Sequence, residues 1–179
     1  TDGGASWTGT LRGQFLYGVS ADADLVCAAS VLGVQVSDDG GATWTTSSPA
    51  RGLSISGVCV ADGVIYATAT GNIKVSGGLF ISDDGGDTWE LVLFVDEHTG
   101  AIDLVMSPED PDILFAAVWE FDRKAWGAKT GGPESGLWKT TDGGDTWTDI
   151  TRHAGLPSGT VGINCLTVSP RDPDRVWAI

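Results

Sequence analysis

Apolar residues come in short runs along this chain, most of them four to eight residues long and each closed by a cluster of Gly, Asp, Ser or Pro. Runs of that length with such punctuation predict β-strands rather than helices. The pattern is plainest after Trp89. Glu90 to Val95 reads as a strand, Asp96 to Gly100 as a polar loop, and Ala101 to Met106 as a second strand. Ser107-Pro108-Glu109-Asp110-Pro111-Asp112 is a turn by composition. The run Ile113 to Trp119 is apolar throughout, which predicts burial on both faces. A long connection then leads to Gly136–Thr140, and one more turn carries the chain into Trp147–Ile150. Earlier segments follow the same plan with shorter links: 15–19, 25–29, 34–37 and 44–46, then 55–60, 64–68, 79–82 and 89–95.

The turn before each fourth strand is a repeated octapeptide. Ser37-Asp38-Asp39-Gly40-Gly41-Ala42-Thr43-Trp44 returns as residues 82–89 and 140–147, and the chain opens inside another copy at Thr1–Trp7. The tryptophans stand at 7, 44, 89 and 147, so the unit spans 37, 45 and 58 residues in turn. A fixed unit of this size, with four strands and one turn motif, predicts an all-β β-propeller fragment of about three complete four-stranded antiparallel blades plus partial blades at both ends. A solenoid coil is shorter and gives no reason for four strands per unit. The expected blades cover about 11–48, 53–95 and 101–151, with partial units at 1–10 and 161–179. The abrupt opening and close suggest a piece of a longer protein whose remaining blades are elsewhere. The proline turn recurs as Ser169-Pro170-Arg171-Asp172-Pro173-Asp174, which predicts the same register in the trailing unit.

Within each octapeptide the carboxylate suits acceptance of turn N–H groups, the glycines allow positive φ, and the indole plugs the turn against the sheet. The residues with this structural role are Asp2 and Trp7; Ser37, Asp39, Gly41, Thr43 and Trp44; Ser82, Asp84, Gly86, Thr88 and Trp89; and Thr140, Asp142, Gly144, Thr146 and Trp147. The tryptophans are expected to be largely buried. The Asp-Asp-Gly-Gly string lacks the ligand spacing and terminal Glu of a calcium loop, so no metal and no cofactor is expected. His98 and His153 have no second ligand at a useful spacing.

A net charge of −14 repels a nucleic-acid backbone and disfavours anionic membrane surfaces. No apolar run reaches the length of a membrane span, so no membrane insertion is expected. Cys27, Cys59 and Cys165 lack metal or disulfide spacing, and each reads as a small buried hydrophobe.

Strand parity decides where a ligand meets the fold. With the strands lettered A to D from the centre outward, the octapeptide joins C to D and the proline turn joins A to B, so both lie at one end. The B–C and D–A loops lie at the other. Length varies there: the B–C link is Val31–Gly33 in one unit, Gly71–Gly77 in the next, and about Asp122–Ser135 in the third. Loops 96–100, 122–135 and 152–160 should gather at that end as the binding face. Glu120, Asp122, Arg123 and Trp126 are the candidate ligand contacts, for a glycan or a peptide; the alternative is an insertion packed on its neighbour with its charges paired. Asp103, inside an apolar A strand, is either a catalytic acid facing the centre or a hydrogen-bonded structural group.

The octapeptide resembles the Asp-box, or BNR repeat, S-x-D-x-G-x-T-W. Together with the Ser-Pro-x-Asp-Pro-Asp turn, Ala117–Phe121 and Gly131–Thr140, the chain is most similar to bacterial sortilin/VPS10-like repeat proteins, which are often labelled glycosyl hydrolases. That resemblance implies a ligand-binding propeller of an extracytoplasmic protein, secreted or in the cell envelope, with a glycan or peptide as partner. Sialidases and xyloglucanases share the box, which implies a glycoside hydrolase as the alternative. The arginine-rich site and Arg-Ile-Pro motif of sialidases are absent, and Tyr17 and Tyr66 have no evident glutamate partner. The acid/base pair that xyloglucanases hold between two propellers would have at most one member here.

Overall fold

The computed structural model describes residues 5, 9–11, 14–72, 75–124, 126–162 and 165–179, with the backbone alone at 123–124 and 173–174. Asp2 and Trp7 lie outside the described residues, as does the Arg123 side chain. Among the described residues there is no helix; fifteen strands form three four-stranded antiparallel meanders, one of them extended by a fifth strand, and a trailing pair.

The first sheet contains β1 (Leu16–Asp22), β2 (Leu25–Ser30), β3 (Gly33–Ser37) and β4 (Thr45–Ser47). The second contains β5 (Ser54–Ala61), β6 (Val64–Thr70), β7 (Gly78–Ser82) and β8 (Glu90–Leu93). The third contains β9 (Thr99–Met106), β10 (Leu114–Lys124), β12 (Gly136–Thr140) and β13 (Thr148–Asp149), with β11 (Gly127–Thr130) on the far part of β10. The trailing pair is β14 (Leu166–Ser169) and β15 (Asp172–Ala178).

The hydrophobic clusters lie between successive sheets, as a radial stack of propeller blades requires. Cys27, Val34 and Val36 of the first sheet meet Ile55, Ile65 and Phe80 of the second. Tyr66 and Leu79 meet Leu104 and Leu114, and Phe115 and Leu137 meet Leu166. The second strand of each blade supplies the small residues that let sheets approach: Ala28, Ala29, Ala67, Ala69, Ala116 and Ala117 are at most 2% exposed.

Neighbouring first strands are also stitched by side chains. Ser20 accepts from Val60 N at 3.0 Å and Asp22 from Asp62 N at 2.8 Å. Ser56 Oγ donates to Ala101 O at 3.0 Å. Asp103 Oδ2 accepts from Leu166 N at 2.7 Å, and its Oδ1 accepts from Leu104 N at 3.0 Å. Of its two expected roles, Asp103 thus has a structural one, holding β9 to β14. Each of the first three inner strands carries one extra residue opposite its partner, at Tyr17, Ser56 and Ile102; such bulges bend the strand locally.

Three expectations change. The 122–135 connection is largely a β-hairpin: β10 runs on to Lys124 and pairs with β11, with Lys124 opposite Gly127. The two proline turns start alike, with Ser107 and Ser169 accepting from Glu109 N and Arg171 N. They then diverge, because Ser169 pairs directly with Asp172 while the first copy closes through Ser107 N to Ile113 O at 2.9 Å. Of the cysteines, Cys27 is buried, Cys59 is half-buried and Cys165 is exposed at the mouth of the trailing pair. Burial pushes the Cys27 thiol up to about 12 and, with Asp103 nearby, Cys59 to about 11.

Candidate functional site

The two ends of the blades are built for different work. At the box end, Asp39, Asp84 and Asp142 accept from Thr43, Thr88 and Thr146 N at 2.8, 2.9 and 2.9 Å. The same threonines donate through Oγ1 to the other carboxylate oxygen at 2.6, 2.5 and 2.5 Å. Ser37, Ser82 and Thr140 donate to the carboxylate and accept from Gly41, Gly86 and Gly144 N. These bonds stabilise the ionised form. The Thr43 and Thr88 hydroxyls lead for Asp39 and Asp84, the Thr140 hydroxyl leads for Asp142, and each carboxyl is held down to about 2.

The indoles of Trp44, Trp89 and Trp147 donate to Gly41, Gly86 and Gly144 O at 3.0, 3.2 and 3.0 Å. They are half-buried rather than largely buried; Trp89 and Trp147 lie at the edges of the clusters between successive blades. Trp89 Nε1 also donates to Ser47 Oγ on the first blade at 2.8 Å. Tyr66 of the second blade donates to Gly143 O in the third box at 3.1 Å. The turns between first and second strands lie at the box end, as parity requires: Gly40 N donates to Asp24 O in the β1–β2 turn, and Gly143 N to Asp112 O in the proline turn. Among the described residues, the carboxylates of Asp39, Asp84 and Asp142 and the three box indoles are all engaged in hydrogen bonds.

At the opposite end a cavity of about 600 Å³ opens at the seam of the second and third blades. Three segments line it: the end of β6 and the loop after it (Thr70, Gly71, Asn72, Val75, Ser76), the β8–β9 loop with the start of β9 (Glu97 to Gly100), and Trp119, Phe121 and Asp122 of β10. Both loops are pinned. Asn72 and Val75 exchange backbone bonds, and Asn72 Nδ2 reaches Gly52 O at 3.0 Å. Asp96 N donates to Thr99 Oγ1 at 3.0 Å, and His98 N donates to Asp96 Oδ1 at 2.8 Å. His98 O accepts from Phe121 N at 3.0 Å, tying the loop to β10.

Glycine makes the seam possible. A Cβ on Gly100 would stand 2.8 Å from Thr70 Cα and 2.9 Å from Ala69 O. Gly71 and Gly77 are equally close to each other's backbone. The Trp119 and Phe121 rings lie 4.6 Å apart at 35°. The Trp119 indole N–H is buried with no acceptor among the described residues, a cost of roughly 1–3 kcal/mol. Exceptions of that kind call for a functional or structural reason.

Of the sequence candidates, Asp122 lines this cavity. Glu120 does not: it is 8% exposed, its Oε1 is 2.5 Å from Lys129 Nζ, and Oε2 accepts from Glu134 N at 3.4 Å. The ion pair raises the Lys129 pKa. The Glu120 carboxylate is thus engaged at the base of the β10–β11 hairpin. Trp126 stands at the hairpin tip, 86% exposed. The 131–136 segment meets the 151–161 loop through a Gly132–Val161 bridge and a small pocket shared with Thr151 and Arg152. His153 is exposed in that loop. Asn72 and Glu97 belong to loops that the sequence already placed at this end, whereas Thr70, Trp119 and Phe121 were not singled out, although the strand end Trp119-Glu120-Phe121 beside a long insertion was a usable signal.

Residues 35–46 and 80–91 match the BNR/Asp-box repeat family. A xyloglucanase from a Paenibacillus species is 29% identical over 138 residues, covering 68% of this chain and 12% of that protein. An ancestral GH74 enzyme superposes with a TM-score of 0.67 at 21% identity, over 93% of this chain and 22% of its own. The GH74 enzyme of Niastella koreensis follows at 0.65 and 20%, covering 89% and 24%. The GH74 xyloglucanase of Xanthomonas campestris gives 0.59 and 18%, covering 87% and 24%. At these identities the structures show a shared β-propeller fold, and this chain spans less than a quarter of each of these relatives.

Proposed function

We propose that this chain is a section of a glycan-binding propeller of the glycoside hydrolase kind, in an extracytoplasmic protein, and that the seam cavity receives sugar residues. The observation that carries the reading is the lining. An aromatic pair, Trp119 and Phe121, stands beside the hydroxyl, amide and carboxyl groups of Thr70, Asn72, Ser76, Glu97 and Asp122. Sugars offer apolar C–H faces and polar edges, and a site with an apolar body and a few placed polar groups matches both. The relatives that act on xyloglucan support a neutral plant-type polysaccharide as the ligand class, and such polymers are met outside the cytoplasm. The sortilin-like reading would place a peptide in the same cavity; the relatives favour the sugar.

Titration of the protein with xyloglucan oligosaccharides tests this. Binding should be measurable and weaken about tenfold or more in Phe121→Ala and in Asp122→Asn, with circular dichroism unchanged. No binding, or undiminished binding in both variants, would overturn it. A hydrolytic version is favoured by one observation: Glu97 and Asp122 both line the cavity, and glycoside hydrolysis needs two carboxyl groups. Release of reducing ends by the full-length protein, abolished by Glu97→Gln, would support that version. Release unaffected by Glu97→Gln and Asp122→Asn would remove these residues from the chemistry.

A further inference from the structure

We infer that the β10–β11 hairpin is an arm of the binding site, with Trp126 as a second contact for the glycan, so that the site takes an extended chain rather than one or two sugars. This rests on the glycan reading of the cavity.

Four observations lead to it. First, Trp126 is 86% exposed, and residues 126–130 are all exposed. A lone exposed apolar residue is ordinary, but an indole at the tip of a strand extension is a large rigid platform, suited to contacts at low entropic cost. Second, the arm has little reason to exist for stability. Among the described residues β11 pairs only with β10, through four residue pairs, and a two-stranded hairpin without a core behind it is marginal.

Third, its base is nevertheless firmly built. The Glu120 carboxylate is held by Lys129 at 2.5 Å, and the Glu120 amide donates to Ser135 Oγ at 2.9 Å. Gly132 packs so closely on Glu120 that a side chain there would overlap the carboxylate. A weak arm on a fixed hinge point is presented, not folded away. Fourth, β10 itself connects the two places. Phe121 lies in the cavity and Lys124 pairs at the base of the turn. Three residues at about 3.3 Å each put the tip on the order of 10 Å beyond Phe121. A polymer leaving the cavity along β10 meets Trp126 next, and this continuity selects a glycan chain as the occupant over an unrelated protein.

The test compares oligosaccharides of one and two xyloglucan repeating units by calorimetric titration. The unsubstituted protein should bind the longer one about tenfold more tightly. Trp126→Ala should leave the shorter ligand's affinity unchanged and remove that gain, whereas Trp126→Tyr should keep most of it. Equal affinities for the two lengths in the unsubstituted protein, or a gain that survives in Trp126→Ala, would overturn the inference while leaving the cavity reading in place. Failure to bind either length would overturn the cavity reading and this one with it.

Discussion

Replacing Trp89 tests how the blades are joined. Its ring is half-buried against the cluster between the first and second sheets. Its N–H is shared between Gly86 O at 3.2 Å in its own turn and Ser47 Oγ at 2.8 Å in the previous blade, and Ser47 also donates to Gly86 O. A fully packed Trp→Ala change costs about 3–5 kcal/mol. Half burial and a solvent-facing edge that can relax reduce this, so Trp89→Ala should cost about 2–3 kcal/mol. Trp89→Phe keeps most of the ring contact and loses the shared hydrogen bond, for about 1 kcal/mol. In a chain of this size each kcal/mol shifts Tm by roughly 2–4 °C. Urea unfolding and calorimetry on both variants, with Ser47→Ala combined with Trp89→Phe as the coupling control, give the numbers. A loss below about 0.5 kcal/mol in Trp89→Ala, or no coupling between Trp89 and Ser47, would refute the account of the box as a clamp between blades.

Other outcomes follow from the same geometry. Gly100→Ala drives a Cβ into the Thr70 and Ala69 backbone and should destabilise by about 1–3 kcal/mol, the cost of overpacking; a neutral result in denaturant titration would mean the seam is loose. The box carboxyls Asp39, Asp84 and Asp142 fall from 3.8 to about 2, so folding gains from their ionisation above pH 4 and loses it as pH drops towards 2. Tm should hold from pH 7 to 5 and fall below 4, with a shallower fall in the triple Thr43→Val, Thr88→Val, Thr146→Val variant; identical pH profiles would contradict the hydrogen-bond cause. Phe15, just before β1, and Leu16, Tyr17 and Val19 on it are 77, 44, 57 and 71% exposed, an apolar patch that invites association. Light scattering on this 179-residue chain should show self-association that Val19→Lys reduces, and a clean monomer at high concentration would count against it.

The blades were legible because each carries its own local instructions: apolar runs of strand length, one Asp-box turn, and a parity rule that leaves no choice about which loops share an end. The cavity was less legible because its parts are local nowhere. Gly71, Gly77 and Gly100 look like loop glycines until two blades meet, and only then does the absence of a Cβ become the reason they fit. The Glu120–Lys129 pair was hidden because Lys129 becomes a neighbour only through the hairpin register that pairs Asp122 with Lys129. That hairpin was itself hidden, since the sequence between Lys124 and Gly127 lacks the Asn-Gly or Asp-Gly signal that marks tight hairpins. The burial of the box tryptophans was overstated for a related reason: the motif reveals the turn they close but not the neighbouring blade they lean on.

The most direct test of the glycan-binding cavity is amide hydrogen exchange with and without a xyloglucan oligosaccharide, read by mass spectrometry. Slower exchange should appear in peptides covering 70–76, 97–100 and 119–122, with the box turns at 37–44, 82–89 and 140–147 unchanged. Protection confined to the box end, or none in the three cavity segments at saturating ligand, would contradict the account.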